Sequence, residues 1–147
     1  MYDPCESDPF EIVPLPADGS SAWAGHRSLL FPSPDGRHEV RAAYAGEPPH
    51  GDSYHDVVVD GVAFPGHAWG GSFAWSPCSR WFVCGWMAAR WERKTIVIDV
   101  EARRFFVLPR PLPDFRVHPP VIAPRPGDGE RYVFSGRERW TDYGNGG

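Results

Sequence analysis

Seven consecutive residues, Trp81-Phe82-Val83-Cys84-Gly85-Trp86-Met87, carry no charge. In a strand, successive side chains alternate between faces. Trp81, Val83 and Gly85 then point one way, and Phe82, Cys84 and Trp86 the other. A strand apolar on both sides needs cover on both sides. It therefore belongs in the middle of a layered structure, and the rest of the chain must supply the covers. Upstream, Ser72–Trp75 reads as its partner strand. Ser76-Pro77-Cys78-Ser79 joins the two, because Pro77 fixes φ and lacks the N–H that a central strand needs.

The pattern occurs twice. Ser33, Pro34, Arg37 and Val40 recur as Ser76, Pro77, Arg80 and Val83, an offset of 43 residues. Gly25-His26 recurs as Gly66-His67 at an offset of 41, and Val57-Val58-Val59-Asp60 as Ile96-Val97-Ile98-Asp99 at an offset of 39. Loops of varying length inside one repeated unit produce such a spread. Each unit reads as a four-stranded meander. The first has strands near Ser28–Phe31, Glu39–Tyr44, His55–Asp60 and Val62–Phe64, with Asp60-Gly61 as a two-residue hairpin turn. The second has strands near Ser72–Trp75, Trp81–Met87, Thr95–Val100 and Arg104–Leu108. A third, weaker unit starts at Pro126-Gly127-Asp128-Gly129 and has room for two strands, near Val121–Ala123 and Arg131–Ser135.

These motifs resemble the WD40-like β-propeller repeat. Gly-His before the first strand, the Ser-Pro-Asp-Gly turn at 33–36, and an Asp closing the third strand (Val59-Asp60, Ile98-Asp99) sit where that family places them. The resemblance implies that His26 and His67 hydrogen-bond within their units, and that Asp60 and Asp99 are turn residues. Neither unit has the family's Trp-Asp pair, and the third lacks Gly-His. Only about two and a half units exist, against about four to eight blades in a propeller. The expected fold is all-β: antiparallel four-stranded meanders stacked like propeller blades, open and not a closed ring. Residues 1–22 form an acidic, Pro-rich extended arm in which Phe10–Val13 pairs as an edge strand. Residues 23–147 form one domain, with units at about 25–65, 66–110 and 111–140. Phe82, Cys84 and Trp86 of the second unit correspond to Glu39, Arg41 and Ala43 of the first. The first unit is thus expected at an end of the stack, with one wet face, and the second in the middle.

Composition narrows the function. The 147 residues include 17 Pro and 16 Gly, which favours many short elements over helices. No run approaches the ~20 apolar residues of a membrane span, and the acidic start is unlike a signal peptide. Cys5, Cys78 and Cys84 read as buried thiols in a reducing compartment. Lys94 is the only lysine, an Arg-rich bias of high-GC, bacterial genomes. A cytoplasmic bacterial protein is expected. The net charge is −4, and residues 1–25 alone carry Asp3, Glu6, Asp8, Glu11 and Asp18 with no basic residue. That balance argues against nucleic acid, whose phosphates need a basic surface.

No catalytic set stands out. There is no Gly-x-Ser-x-Gly elbow and no phosphate-cradling glycine loop. Within His50–Asp56, His50, Asp52 and His55 are weak candidates for a divalent metal. A plain polar loop reads better, and no cofactor is expected. The remaining features point to a surface. Trp91 and Trp140, beside Arg90, Arg93, Arg137 and Arg139, have the composition of an interface hot spot. Asp3, Glu6, Asp8 and Glu11 would steer a basic partner. The expected function is a non-catalytic protein-binding module, such as a bacterial immunity protein or inhibitor that occludes a toxin or enzyme. The alternatives are a small-molecule or metal-binding enzyme using the 50–56 loop, and an oligomeric scaffold subunit that completes a propeller by self-association.

Overall fold

The computed structural model describes residues 10–23, 27–47, 53–89 and 92–144. Among these residues there are fourteen strands and no helix, so none is long and apolar enough to cross a membrane. The first meander comprises β3 (Leu29–Pro32), β4 (Glu39–Gly46), β5 (Tyr54–Val59) and β6 (Val62–Ala63). The second comprises β7 (His67–Trp75), β8 (Trp81–Met87), β9 (Lys94–Asp99) and β10 (Arg104–Val107). Asp60 and Gly61 both take positive φ, 48° and 79°, in the expected tight hairpin.

The two meanders share one open sheet. β5 passes to β7 through Tyr54↔Trp69 and His55↔Ala68. The edges are β1 (Glu11–Ile12), parallel to β3, and β14 (Thr141–Asp142), which returns to β10. β2 (Ala22–Trp23) pairs with the far half of β7. A separate sheet contains β11 (Phe115–His118), β12 (Val121–Pro124) and β13 (Tyr132–Val133). Neither sheet closes into a barrel or ring.

The alternation of β8 explains the layering. Phe82, Cys84 and Trp86 enter a core with Leu29, Phe31, Val40, Val57 and Val59 of the first meander. Phe31 stands 4.5 Å from Phe73 and 5.9 Å from Phe82, ring centre to ring centre. Val83, with Val97 and Phe106, enters a second core with Phe115, Val117 and Ile122 of the small sheet. The second meander is therefore a middle layer. The first keeps a wet face, with Arg41 exposed and Glu39 half-buried beside buried Val40 and Ala42.

The repeat also holds bond by bond. In the first turn Ser33 N–H donates to His38 O (2.9 Å), Gly36 N–H to Ser33 O (2.9 Å), and His38 N–H to Ser33 Oγ (3.1 Å). Forty-three residues on, Ser76 N–H donates to Trp81 O (2.8 Å), Ser79 N–H to Ser76 O (3.0 Å), and Trp81 N–H to Ser76 Oγ (3.0 Å). The two turns touch, since Asp35 N–H donates to Ser79 Oγ at 3.0 Å.

Several expectations need correction. β7 begins at His67, before the expected Ser72, because two glycines do not end a strand that bulges around them. Trp81 is half-buried: at the start of β8 it packs against Phe134 and Trp140 at the margin of the second core, beyond the part of that face where Val83 is covered. Cys78 is exposed at the turn, whereas Cys84 is buried. Residues 10–22 are extended but fastened to the fold along their length. Leu15 lies in the first core, and Val117 N–H donates to Gly19 O at 2.7 Å. β11 was not expected, and it is what the 18–21 segment grips.

Candidate binding groove

β7 and β8 lose register between Ala68↔Trp86 and Phe73↔Cys84, so residues 69–72 face Gly85 alone. This bulge needs glycine on both strands. Gly70 has φ of 98°, in the region that favours glycine. A Cβ on Gly85 would lie 2.4 Å from Trp69 O, closer than packed atoms permit. Bulges of this kind re-aim side chains next to functional sites.

Here the bulge opens a groove of about 650 Å³, within the usual range for ligand sites. Its floor crosses β7, β8 and β9 at Gly70, Ser72, Gly85 and Thr95. At one end stands Trp23 of β2, 63% exposed. Trp69 is buried beneath Arg93, whose guanidinium carbon sits 4.3 Å from the centre of the indole. The far wall is Pro111-Leu112-Pro113, held by Thr95: Leu112 N–H donates to Thr95 Oγ1 at 2.8 Å, and that hydroxyl donates to Leu112 O at 3.4 Å. Asp114 accepts from Ser72 Oγ at 3.3 Å and pairs with Arg125. Lys94 completes the rim and pairs with Glu92 at 2.9 Å.

Of the residues expected at an interface, Arg93 lines this groove. Arg137, Arg139 and Trp140 lie elsewhere. Trp140 is half-buried, 5.9 Å from Trp81 and 4.9 Å from Phe106 between ring centres, with Arg104 4.1 Å above its own ring. Trp81 starts β8 and Gly85 lies four residues on, so the two regions are about 13 Å apart along the strand. The expected single surface is thus two. Arg137 and Arg139 are exposed on either side of Glu138, which accepts from Tyr132 Oη (2.6 Å), Ser135 Oγ (2.6 Å) and Ser135 N–H (2.7 Å). Burial opposes its ionisation, but these donors win and hold the carboxyl near a pKa of about 2. Glu11 sits on the opposite edge of the large sheet, 3.4 Å from Arg27. Asp3, Glu6, Asp8, His26, His50, Asp52, Arg90 and Trp91 lie outside the described residues.

The other polar groups have structural partners. His55 is not in a loop: it is buried in β5, its Nε2 2.9 Å from Arg27 O. Among the described residues, no three His, Cys, Asp or Glu side chains converge on a metal-sized site. His67 meets Asp56 of the first meander at 2.9 Å, so it links units where hydrogen bonding within one unit was expected. Asp60 closes its turn by accepting from Glu39 N–H at 2.8 Å and meeting His38 Nδ1 at 2.7 Å. Asp99 is buried with Arg80 at 3.0 and 2.9 Å and Arg104 at 3.4 Å. Burial raises its pKa, yet the guanidinium and Ala102 N–H bonds leave it below the ordinary value. The Cys84 thiol is pushed up to about 12 by burial.

Sequence reasoning passed over Trp69, Ser72, Thr95, Asp114 and Arg125. The available signal was Gly70-Gly71 opposite Gly85, three glycines in strands, which mark close backbone approach. Comparison with family models, with curated proteins and with solved structures finds no match for this chain.

Proposed function

We propose that this chain is a non-catalytic module that binds another protein, and that the groove beside Trp23 is its contact surface. The observation that carries this reading is a tryptophan 63% exposed at the mouth of a groove where an arginine covers a second tryptophan. Trp and Arg dominate the binding energy of protein interfaces when they are desolvated there. The open sheet edges at β1 and β13 add exposed apolar residues, Ile12 and Val133. A thiol held near 12, as at Cys84, is protonated at neutral pH and does not serve as a nucleophile.

Within that class we favour a small inhibitor, such as a bacterial immunity protein that occludes a toxin or enzyme. The net charge of −4, concentrated in the first 25 residues, supports a basic partner drawn in electrostatically. The test is capture from the source cell with the full chain as bait, followed by sizing of the purified components. A defined complex with a protein is expected. A chain that stays monomeric, captures no macromolecule and turns over a small substrate overturns the reading.

A further inference from the structure

Resting on the protein-binding reading but not on the groove, we infer that β13 is a docking edge. An extended segment of the partner pairs with it as a further antiparallel strand and buries one apolar side chain beside Tyr132.

The β12–β13 ladder leaves one edge unpaired. Val121 faces Val133, Ile122 faces Tyr132, and Phe134 N–H donates to Pro120 O at 2.8 Å. Bonded and non-bonded pairs alternate along an antiparallel ladder. Tyr132 and Phe134 therefore bond toward β12, while Arg131 and Val133 turn their N–H and C=O groups outward. Among the described residues, no protein group meets these four. The opposite edge of the small sheet differs. There Ser21 N–H donates to Phe115 O at 2.8 Å and Val117 N–H to Gly19 O at 2.7 Å, so residues 19–21 already occupy β11. Past Val133 the open edge ends, because Ser135 N–H is taken by Glu138 at 2.7 Å. The Val133 side chain beside these free groups is 47% exposed. Unpaired edges of this kind are templates for an added strand.

A pocket of about 350 Å³ lies where the inward side chain of such a strand would go. Leu108, Pro109 and Leu112 line it beside Tyr132. No residue of β11 or β12 lines it, which puts it on the open side of β13. Arg110 crosses its end to donate to Glu130 O at 2.6 Å. In the added strand, the residues facing Val133 and Arg131 make the backbone bonds, and the residue between them points inward past Tyr132. That middle residue is the apolar anchor. Leu112 also lines the Trp23 groove, so the edge continues the proposed contact surface.

The pocket favours a partner over a second copy. A second β13 has Tyr132 and Phe134 at its inward positions, and both pack in their own core. It has no side chain to place in the pocket. Pairing two copies would also gather two sets of Arg131, Arg137 and Arg139, which are exposed and have no ion pair among the described residues.

Fluorescence anisotropy of labelled heptapeptides on the full chain tests the site. The parent probe is Gly-Thr-Val-Leu-Glu-Thr-Gly, with Leu as the anchor, Val opposite Val133 and Glu opposite Arg131. N-methylation of its Val and Glu amides removes both peptide donors and is expected to weaken binding at least about tenfold. N-methylation of the Leu amide, which points away from β13, is expected to change it less than about threefold. Replacing the Leu by Ser is expected to weaken it about tenfold. In the chain, Val133→Pro puts a ring where the free N–H was and breaks no existing bond, with an expected loss of about tenfold. Val133→Thr keeps the N–H and is expected to bind within about threefold of the unaltered chain. Near-UV circular dichroism checks the fold of both, and the peptide series decides if Val133→Pro does not fold. Equal losses from the two methylation patterns, full affinity of the Ser peptide, or no binding of the parent at about 1 mM overturns the inference. So does a dimer of the unaltered chain, read by sedimentation, that Val133→Pro dissociates. In the complex with a captured protein, affinity unchanged by Val133→Pro overturns the edge assignment and leaves protein binding and the groove intact. Failure of the unaltered chain to capture any protein overturns the broader reading instead.

Discussion

The two meanders share a turn but not an environment. Ser33–His38 and Ser76–Trp81 make the same three backbone and hydroxyl bonds, 43 residues apart. Four-residue turn chemistry therefore acts locally and survives a change of surroundings. What differs is the position one residue after the turn's closing pair. Glu39 begins β4 half-exposed, while Phe82, its counterpart, is buried in β8. The turn sets where a strand begins. The neighbouring layer sets which faces of that strand must be apolar.

The largest test of this contrast is truncation at the paired positions. Phe82→Ala removes a ring packed against Phe31, Phe73 and Trp75 and should cost about 3–5 kcal/mol. Glu39→Ala should stay within about 0.5 kcal/mol, because its pair with Arg41 is solvent-exposed. Chemical denaturation measures both, and similar losses would break the contrast.

The aspartates that end the third strands form the next pair. Asp99 is buried with two arginines, whereas the Asp60 side chain is about a third exposed. Asp99→Ala should cost about 2–3 kcal/mol, somewhat less than breaking a fully buried pair because Arg80 and Arg104 keep access to water. Asp60→Ala should cost about 1 kcal/mol, the ordinary worth of a lost cap-like bond. The ratio of the two losses is the informative quantity.

The glycines sharpen the groove's part in the comparison. Gly85→Ala forces a Cβ against Trp69 O and should cost about 1–3 kcal/mol by strain, together with closure of the groove. Gly61→Ala meets no atom within 4 Å and should cost about 1 kcal/mol, from its φ of 79° alone.

Much of this architecture was legible before the fold was seen. Repeated Ser-Pro turns, Asp60-Gly61 and the two apolar faces of β8 are local signals with fixed periods. Three features were not. The grip of residues 18–21 on β11 joins segments nearly a hundred residues apart, and neither carries a mark of the other. The half-exposure of Trp81 depends on how far a neighbour extends, which alternation does not encode. The groove arises from a register shift, and two glycines in sequence reveal that a strand bends without revealing what gathers around the bend. Arg93 was singled out for its neighbours in the chain, whereas the structure stacks it on Trp69.

The smallest predicted effect lies in the turns. Asp35 accepts from Arg37 N–H at 2.9 Å and from Ser33 Oγ at 2.7 Å, and these bonds bring its pKa from 3.8 to about 2. Its counterpart in the second turn is Cys78, which has no carboxylate. The folded pKa lies below the unfolded one, so the unfolded chain takes up the proton first on acidification. The stabilisation is complete above about 4 and is lost as pH falls through about 2. Carboxyl carbon shifts should titrate Asp35 near 2, and Asp35→Asn should remove that part of the acid sensitivity. A titration near 4 would contradict the turn's hydrogen bonding.

Native-state amide exchange tests the layering most directly, because protection follows burial and packing on both faces. The slowest amides should lie in β8 and β9, at residues such as Val83, Cys84, Val97 and Ile98, with opening free energies near that of global unfolding. Amides of β1, β3 and the wet side of β4 should exchange faster, through local opening. Equal or greater protection in β3 and β4 than in β8 and β9 would contradict a second meander covered on both sides.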